Sequence, residues 1–264
     1  MVDARTGQVA AAAAEIYDEF FLPALFEQWA PQLCDAAMMV EGQSVLDVAC
    51  GTGILARVAR SRVGPSGQVT GVDINDGMLT VARRHDPSVT WEQAPAESLP
   101  FDDDAFDVVV SQFGLMFFDD PMAAIREMRR VARPGGQIAV AVWTGLDLVP
   151  GYAAMVELLD QLFGADVADA LRVPYALGHR DDLTRLSTAA GLDASVTTRP
   201  GVARFPSIDA WVHTDVRGWT LADMISDDDL DRLLAAARVE LASFVDSDGT
   251  VAFDHPAHIV VATA

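Results

Sequence analysis

The chain of 264 residues contains no lysine: its 18 basic side chains are all arginine, set against 39 acidic ones. The formal net charge of -21 repels phosphate backbones and anionic membrane surfaces, which argues against nucleic acid as a substrate. An arginine-only basic set with an aspartate excess fits either biased base composition or a high-salt habitat. Cysteine is nearly absent. Cys34 and Cys50 stand alone without CxxC spacing, so neither a disulfide framework nor a cysteine zinc site is indicated. No run approaches the ~20 apolar residues that a bilayer span needs. The stretch Val9 to Ala14 after Arg5 opens like a leader peptide, but Glu15, Asp18 and Glu19 interrupt it too early. The five histidines, His85, His179, His213, His255 and His258, offer no pair at ligand spacing on one helix face. The run Asp102-Asp103-Asp104 reads as a solvated loop rather than a metal site. Internal repeats and low-complexity linkers are missing as well. The expectation from these absences is a soluble, cytoplasmic protein without a metal, without nucleic-acid binding and without membrane insertion.

What is present is apolar and ordered. Hydrophobic residues make up 51% of the chain, enough to bury a sizeable core. The segment from Val9 to Met38 has helical periodicity, and Pro23 and Pro31 are expected to divide it into shorter helices. Strands are expected at Ser44 to Ala49, Gln68 to Asp73, Val89 to Gln93, Phe106 to Ser111, Gln137 to Trp143, Ala194 to Ala203 and His258 to Thr263. Helices are expected between them, at Ile54 to Arg62, Asp76 to His85 and from a cap at Asp120 to the Pro134-Gly135-Gly136 stop. Further helices follow at Gly151 to Phe163, Val167 to Arg172, Asp181 to Ala190, Ser207 to Arg217 and Asp227 to Phe244.

Strands that alternate with helices and read as continuous apolar runs indicate an α/β fold, a Rossmann-like seven-stranded and mostly parallel sheet covered on both faces. One domain then spans 1–264: a helical lead-in (1–43), a cofactor-binding core (44–143), an inserted helical cap after the fifth strand (144–180), and a completion of the sheet with substrate-side helices (181–264).

The chemistry-bearing motif is Val45-Leu46-Asp47-Val48-Ala49-Cys50-Gly51-Thr52-Gly53. A glycine turn after a first strand lets the backbone approach a ligand and aims the next helix N-terminus at it. Asp47, four positions before Gly51, suits the amino group of an amino-acid ligand better than a pyrophosphate. Asp73 follows Gly53 by twenty residues, at the end of the second strand, where a carboxylate can accept both hydroxyls of a ribose. That position is common to nicotinamide and adenosylmethionine folds.

The segments Val45 to Gly53, Gly71 to Met78, Ala96 to Phe101, Phe106 to Leu115 and Arg130 to Val140 together resemble the class I S-adenosylmethionine-dependent methyltransferases, in the branch similar to ubiquinone/menaquinone-biosynthesis C-methyltransferases. The resemblance covers about residues 10 to 143 and, more loosely, 177 to 263. It implies S-adenosylmethionine as cofactor and S-adenosylhomocysteine as product. It implies that Ala49, Gly51, Thr52 and Gly53 wall the methionine moiety beside Asp47, that Asp73 holds the ribose, and that Ile74 and Met78 flank the adenine. Pro95, Ala96 and Glu97 occupy the adenine-contacting turn, Ser111 and Gln112 end the fourth strand beside the sulfonium, and Tyr17 lies where the family's first helix closes over the cofactor. The family usually carries Asp where this chain has Pro95, so a side-chain contact to the adenine amino group is lost there.

Methyl transfer from a sulfonium needs alignment and a water-poor site, and a general base only for an acceptor that must lose a proton. His179 and His213 are the candidate bases. Phe20, Phe21, Phe113, Phe117, Trp143 and Tyr152 are expected to converge over the methyl group, which points to a small apolar or aromatic acceptor. Two other classes stay open: a non-catalytic adenosylmethionine-binding protein, and an NAD(P)-dependent oxidoreductase, against which stand Asp47 and the Arg133-Pro134-Gly135-Gly136 turn. A homodimer is also left open.

Overall fold

The computed structural model describes residues 11–218 and 221–264. Residues 1–10, which include Val9 and Ala10 of the leader-like stretch, lie outside the described residues, and Ala11 to Ala14 of that stretch are helical. Among the described residues nine strands form: β1 Ser44–Val48, β2 Gln68–Asp73, β3 Thr90–Gln93, β4 Phe106–Gln112, β5 Ala132–Trp143, β6 Ala194–Arg199, β7 Val202–Phe205, β8 Val251–Asp254 and β9 Ala257–Thr263. Seven make one sheet in the order β3-β2-β1-β4-β5-β9-β6, with β7 and β8 as a separate hairpin. The five strands from β3 to β5 run parallel, and β9 is antiparallel to both β5 and β6. β1 and β4 carry buried Val45, Leu46, Val108, Val109 and Val110, as befits central strands covered on both faces.

The chain leaves β1 toward β2 and β3 on one side and returns to β4 on the other. The connections therefore diverge at the carboxyl ends of β1 and β4 and leave a crevice there, the place where open α/β sheets hold their ligands. The helices α3 (Ile54–Val63), α4 (Asp76–His85) and α5 (Pro121–Val131) link these strands. Asn75 caps α4 through Gly77 N–H and Met78 N–H, and Asp120 caps α5 through Ala123 N–H.

Proline acts differently from expectation in three places. Pro23 does not divide the lead-in. After α1 (Ala11–Ile16) the chain continues as a wide helix, Tyr17–Phe26, in which Glu27 N–H reaches back five residues to Leu22. The wider turn accommodates the missing N–H and the ring of Pro23. The break falls at Glu27 and Gln28, before α2 (Trp29–Ala36), and Pro31 sits in the first turn of α2, where no intrahelical donor is required. α5 ends at Val131 rather than at Pro134-Gly135-Gly136, because the residue before a proline is pushed out of the helical region. Those residues instead extend β5, where Gly135 N–H bonds Ala264. The expected strand Ala194 to Ala203 is cut at Pro200-Gly201 into β6 and β7, since Pro200 has no N–H for the ladder, and a side chain at Gly201 would run into the Trp29 ring and the His255 carbonyl.

The expected helix Asp227 to Phe244 ends at Glu240, followed by a tight turn at Ala242–Phe244. β8 has no counterpart in the sequence reading. It pairs with β7 and packs on α6 (Pro150–Phe163), against which α7 (Ala165–Arg172) and α10 (Asp227–Glu240) also lie. α8 (Arg180–Ala189) covers the sheet beside α5, and α9 (Ile208–Arg217) joins α10 and β7. Around these elements Tyr152, Tyr175, Phe205, Trp211 and Phe253 form an aromatic core, with Trp211 and Phe253 centroids 4.7 Å apart. The wide helix touches β7 and α9 and so joins this layer to the sheet. No helix among the described residues is long and apolar enough to cross a membrane.

Candidate functional site

At the switch point the backbone is strained on both sides of the crevice. Ala49, after β1, and Phe113, after β4, each have φ of 57°, a left-handed conformation that costs a residue with a Cβ about 1–3 kcal/mol. Gly51 and Gly53 continue the turn with φ of 54° and 86°. Asp73 fixes it from the neighbouring strand: one carboxylate oxygen accepts Gly51 N–H at 2.8 Å and the other accepts Asn75 N–H at 2.8 Å. Burial pushes the Asp73 carboxyl above its usual range, and these backbone donors pull the other way.

Beneath the turn lies a set of buried polar atoms that the protein itself does not satisfy. Asp47 is 1% exposed, and neither of its oxygens meets a donor at ordinary hydrogen-bond geometry, the Ala56 N–H being a weak neighbour. Burial raises its carboxyl well above the usual range. Thr52 Oγ1, Ser111 Oγ and Gln112 Oε1 are likewise buried without partners. Each such group costs about 1–3 kcal/mol unless a ligand or water completes it, and their concentration around one turn marks a polar binding locus.

A cavity of about 150 Å³ opens above them. Tyr17 and Phe26 of the wide helix, Ala49 and Gly51 of the turn, Asp73 to Asn75 with Met78, Ala94 to Glu97, Gln112 to Gly114, and Phe117 to Asp119 line it. Tyr17 lies over Gly51, within 4.0 Å of where a side chain there would begin. Burial, followed by the negative charge of Asp73, raises the Tyr17 phenol. Asp73, Glu97 and Asp119 are the charged lining groups, and no arginine or histidine is among them. That lining favours a ligand with positive charge.

Of the residues singled out in the sequence, Tyr17, Ala49, Gly51, Asp73, Ile74, Met78, Pro95, Ala96, Glu97 and Gln112 meet at this cavity. Asp47, Thr52, Gly53 and Ser111 do not line it. The first two and Ser111 lie in the layer beneath, and the bare Cα of Gly53 makes room for the Trp91 ring on the far side of the turn. His179 and His213 are exposed and border neither this cavity nor the smaller one behind it. The six aromatics divide: Phe113 and Phe117 line the cavity, Phe21, Trp143 and Tyr152 line a smaller one behind it, and Phe20 is 44% exposed. Among the described residues no group of three His, Cys, Asp or Glu side chains gathers to hold a metal. Phe26, Asn75, Ala94, Gly114, Phe118 and Asp119 were not singled out. Asn75 carried a signal, an amide just before Asp76 at a helix start, whereas Phe26 reaches the cavity only because of the wide helix.

Fold and site together define an open α/β domain with a polar crevice at its switch point. Residues 46–140 match the family described as "Methyltransferase domain". The ubiquinone/menaquinone biosynthesis C-methyltransferase UbiE of Hahella chejuensis is 39% identical over 136 residues, which are 49% of this chain and 55% of that protein. The demethylmenaquinone methyltransferase of Staphylococcus carnosus is 34% identical over 158 residues, 56% of this chain and 65% of that protein. The chain thus spans about half to two thirds of the length of these curated relatives. The Haemonchus contortus phosphoethanolamine N-methyltransferase 2, solved with phosphomonomethylethanolamine and S-adenosylhomocysteine, superposes with a TM-score of 0.62 at 20% identity, covering 100% of this chain and 60% of that one. That likeness is one of fold.

Proposed function

We propose that the protein transfers the methyl group of S-adenosylmethionine to a small apolar or aromatic acceptor. The observation that carries this reading is the acid-lined cavity, with Asp73 at the end of β2 and the unpartnered Gln112 Oε1 among its lining residues. An amino-acid moiety supplies ammonium donors to orphaned acceptors, and a ribose supplies hydroxyls to a carboxylate. The residues present fit such a cofactor. Gly51 and Ala49 would wall the methionine end, Asp73 the ribose, and Ile74, Met78 and Ala96 the adenine. Pro95 contributes only its apolar ring there.

S-adenosylmethionine supplies an electrophilic methyl group on a cationic sulfur. The chain's own part is alignment and water exclusion. Tyr17 and Phe26 cover the cavity from the wide helix, while Phe113 and Phe117 close its inner wall. The carboxylates tolerate the positive charge on sulfur before transfer. The names of the curated relatives support a quinone-type aromatic acceptor. The net charge of -21 and the lack of a spanning helix among the described residues support a cytoplasmic location.

Titration calorimetry with S-adenosylmethionine, S-adenosylhomocysteine and NAD tests the reading, with Asp73→Ala as control. Binding of the first two, lost in the variant, is expected. Binding of NAD in their place would replace it with the oxidoreductase reading.

A further inference from the structure

The lead-in meets α4 along a seam of opposed residue types. Glu15 of α1 and Asp18 of the wide helix stand three residues apart, and the last turn of α4 carries Arg83, Arg84 and His85. Arg83 turns back to Asp76 of its own helix. Arg84 Nη2 lies 2.9 Å from Glu15, and His85 Nε2 lies 2.6 Å from Asp18 Oδ2. Alongside these contacts Ala14 and Tyr17 pack on Met78 and Val81 of α4. Tyr17 and Met78 both line the cofactor cavity, so the seam that holds the lead-in on α4 also closes the crevice.

The two polar contacts are unequal. The Glu15 and Arg84 side chains are 61% and 60% exposed, and a pair so open to water contributes little. The Asp18 side chain is only 18% exposed, and its Oδ1 is buried with no hydrogen-bond partner among the described residues. Its single bond to His85 therefore weighs more. A third element answers the same carboxylate. Burial lowers the Arg57 guanidinium of α3, and the negative charge of Asp18, ahead of Glu27 and Asp86, favours its charged form. Arg57 Nη1 in turn donates to the Thr52 carbonyl of the glycine turn at 2.7 Å. One carboxylate, next in the chain to Tyr17, thus answers to His85 of α4 and to Arg57 of α3, and Arg57 is bonded to the turn that Tyr17 covers.

We propose that Asp18 is a positioning residue for the cofactor site: held by His85 and Arg57, it keeps Tyr17 seated over Gly51 and slows the escape of the bound nucleoside. Asp18 does not itself line the cavity, so it acts through Tyr17. The inference rests on the methyltransferase reading for the identity of that nucleoside.

Two readouts on the full chain test it. One is hydrogen–deuterium exchange of the Tyr17–Phe26 amides in the ligand-free protein. The other is the dissociation rate of tritium-labelled S-adenosylhomocysteine chased with unlabelled ligand. Asp18→Ala is expected to speed both about tenfold, the loss of one charge-assisted hydrogen bond, while exchange in β1 and β4 stays at the wild-type rate. Glu15→Gln is expected to change neither by more than about twofold. His85→Gln, whose amide still donates, is expected to keep most of the slow dissociation that His85→Ala loses. In a Tyr17→Ala background Asp18→Ala is expected to add nothing to the dissociation rate. Wild-type dissociation in Asp18→Ala, with or without faster exchange, overturns the proposal, as does an effect that adds in full to that of Tyr17→Ala. Exchange in β1 and β4 reports folding, and His85→Ala decides the matter should Asp18→Ala unfold. Failure of the wild type to bind S-adenosylhomocysteine sinks the methyltransferase proposal and this one with it, whereas binding with unchanged dissociation in the variant sinks only this one.

Discussion

A Cβ on Gly114 would lie 2.6 Å from the Cβ of Ala49, so the two strand ends that bound the cofactor crevice touch through a missing side chain. Gly114→Ala forces the Ala49 turn, already at φ of 57°, to shift. The variant is expected to lose about 1–3 kcal/mol of stability, the usual cost of overpacking, and to bind S-adenosylmethionine more weakly. Combined with Ala49→Gly, part of the loss is recovered, because the facing methyl group is gone. Urea unfolding of both single variants and the double variant measures the coupling; strict additivity would show that the contact is not the cause.

Asp73 spends both carboxylate oxygens on backbone N–H groups, of Gly51 and Asn75. Asp73→Asn turns one acceptor into a donor facing an N–H. Cofactor affinity is expected to fall about 10- to 100-fold, the loss of one charge-assisted hydrogen bond, with the fold retained. Calorimetry at constant salt reads the effect, and an unchanged affinity would place the ribose elsewhere.

Tyr17 covers Gly51 and packs on Phe21 and Phe26, with centroids 5.8 Å and 5.3 Å away. Tyr17→Ala opens the cavity to water without touching the turn. Faster dissociation of bound S-adenosylhomocysteine in stopped-flow displacement is expected, with little change in association rate.

The Asp215 carboxyl is raised in the folded chain to about 8 from 3.8. Between those values the folded state holds a proton that the unfolded state has released. This contribution to stability is therefore full below about pH 4, falls as pH rises, and is gone above about pH 8. Buried Asp47 and Asp73 act with the same sign. Asp215→Asn is expected to be relatively more stable at pH 8 than at pH 5 when compared with the wild type. Urea midpoints at the two pH values decide it, and an identical difference at both would show that Asp215 does not titrate in that interval.

The sheet and the glycine turn were legible because each is written locally. Gln68 to Asp73 and Asp76 to His85 fell on β2 and α4 residue for residue, since caps, charges and apolar runs coincide there. The cap was not. Pro23 reads as a breaker until tertiary packing holds the wide turn around it, and β8 is too short and too close to Asp246 and Asp248 to stand out from a loop. Asp215 did leave a trace. It shares the Ile208, Trp211, Val212 and Val216 face of α9, and an acid on an apolar stripe is the one-dimensional sign of a buried carboxyl. His179 and His213 drew notice through residue type alone, without such a positional cue, and proved exposed.

Tyr152 and Asp215 are joined by a hydrogen bond across 63 residues, and between them in the chain lie α8 and the edge strand β6. As the polypeptide emerges during synthesis, Tyr152 must wait for all of that intervening sheet before its carboxylate exists, and Tyr175 waits longer still for His255. The aromatic nest is therefore one of the last parts of the molecule to close. It cannot be removed or exchanged as a contiguous module, so its packing is altered by point substitution within it rather than by grafting.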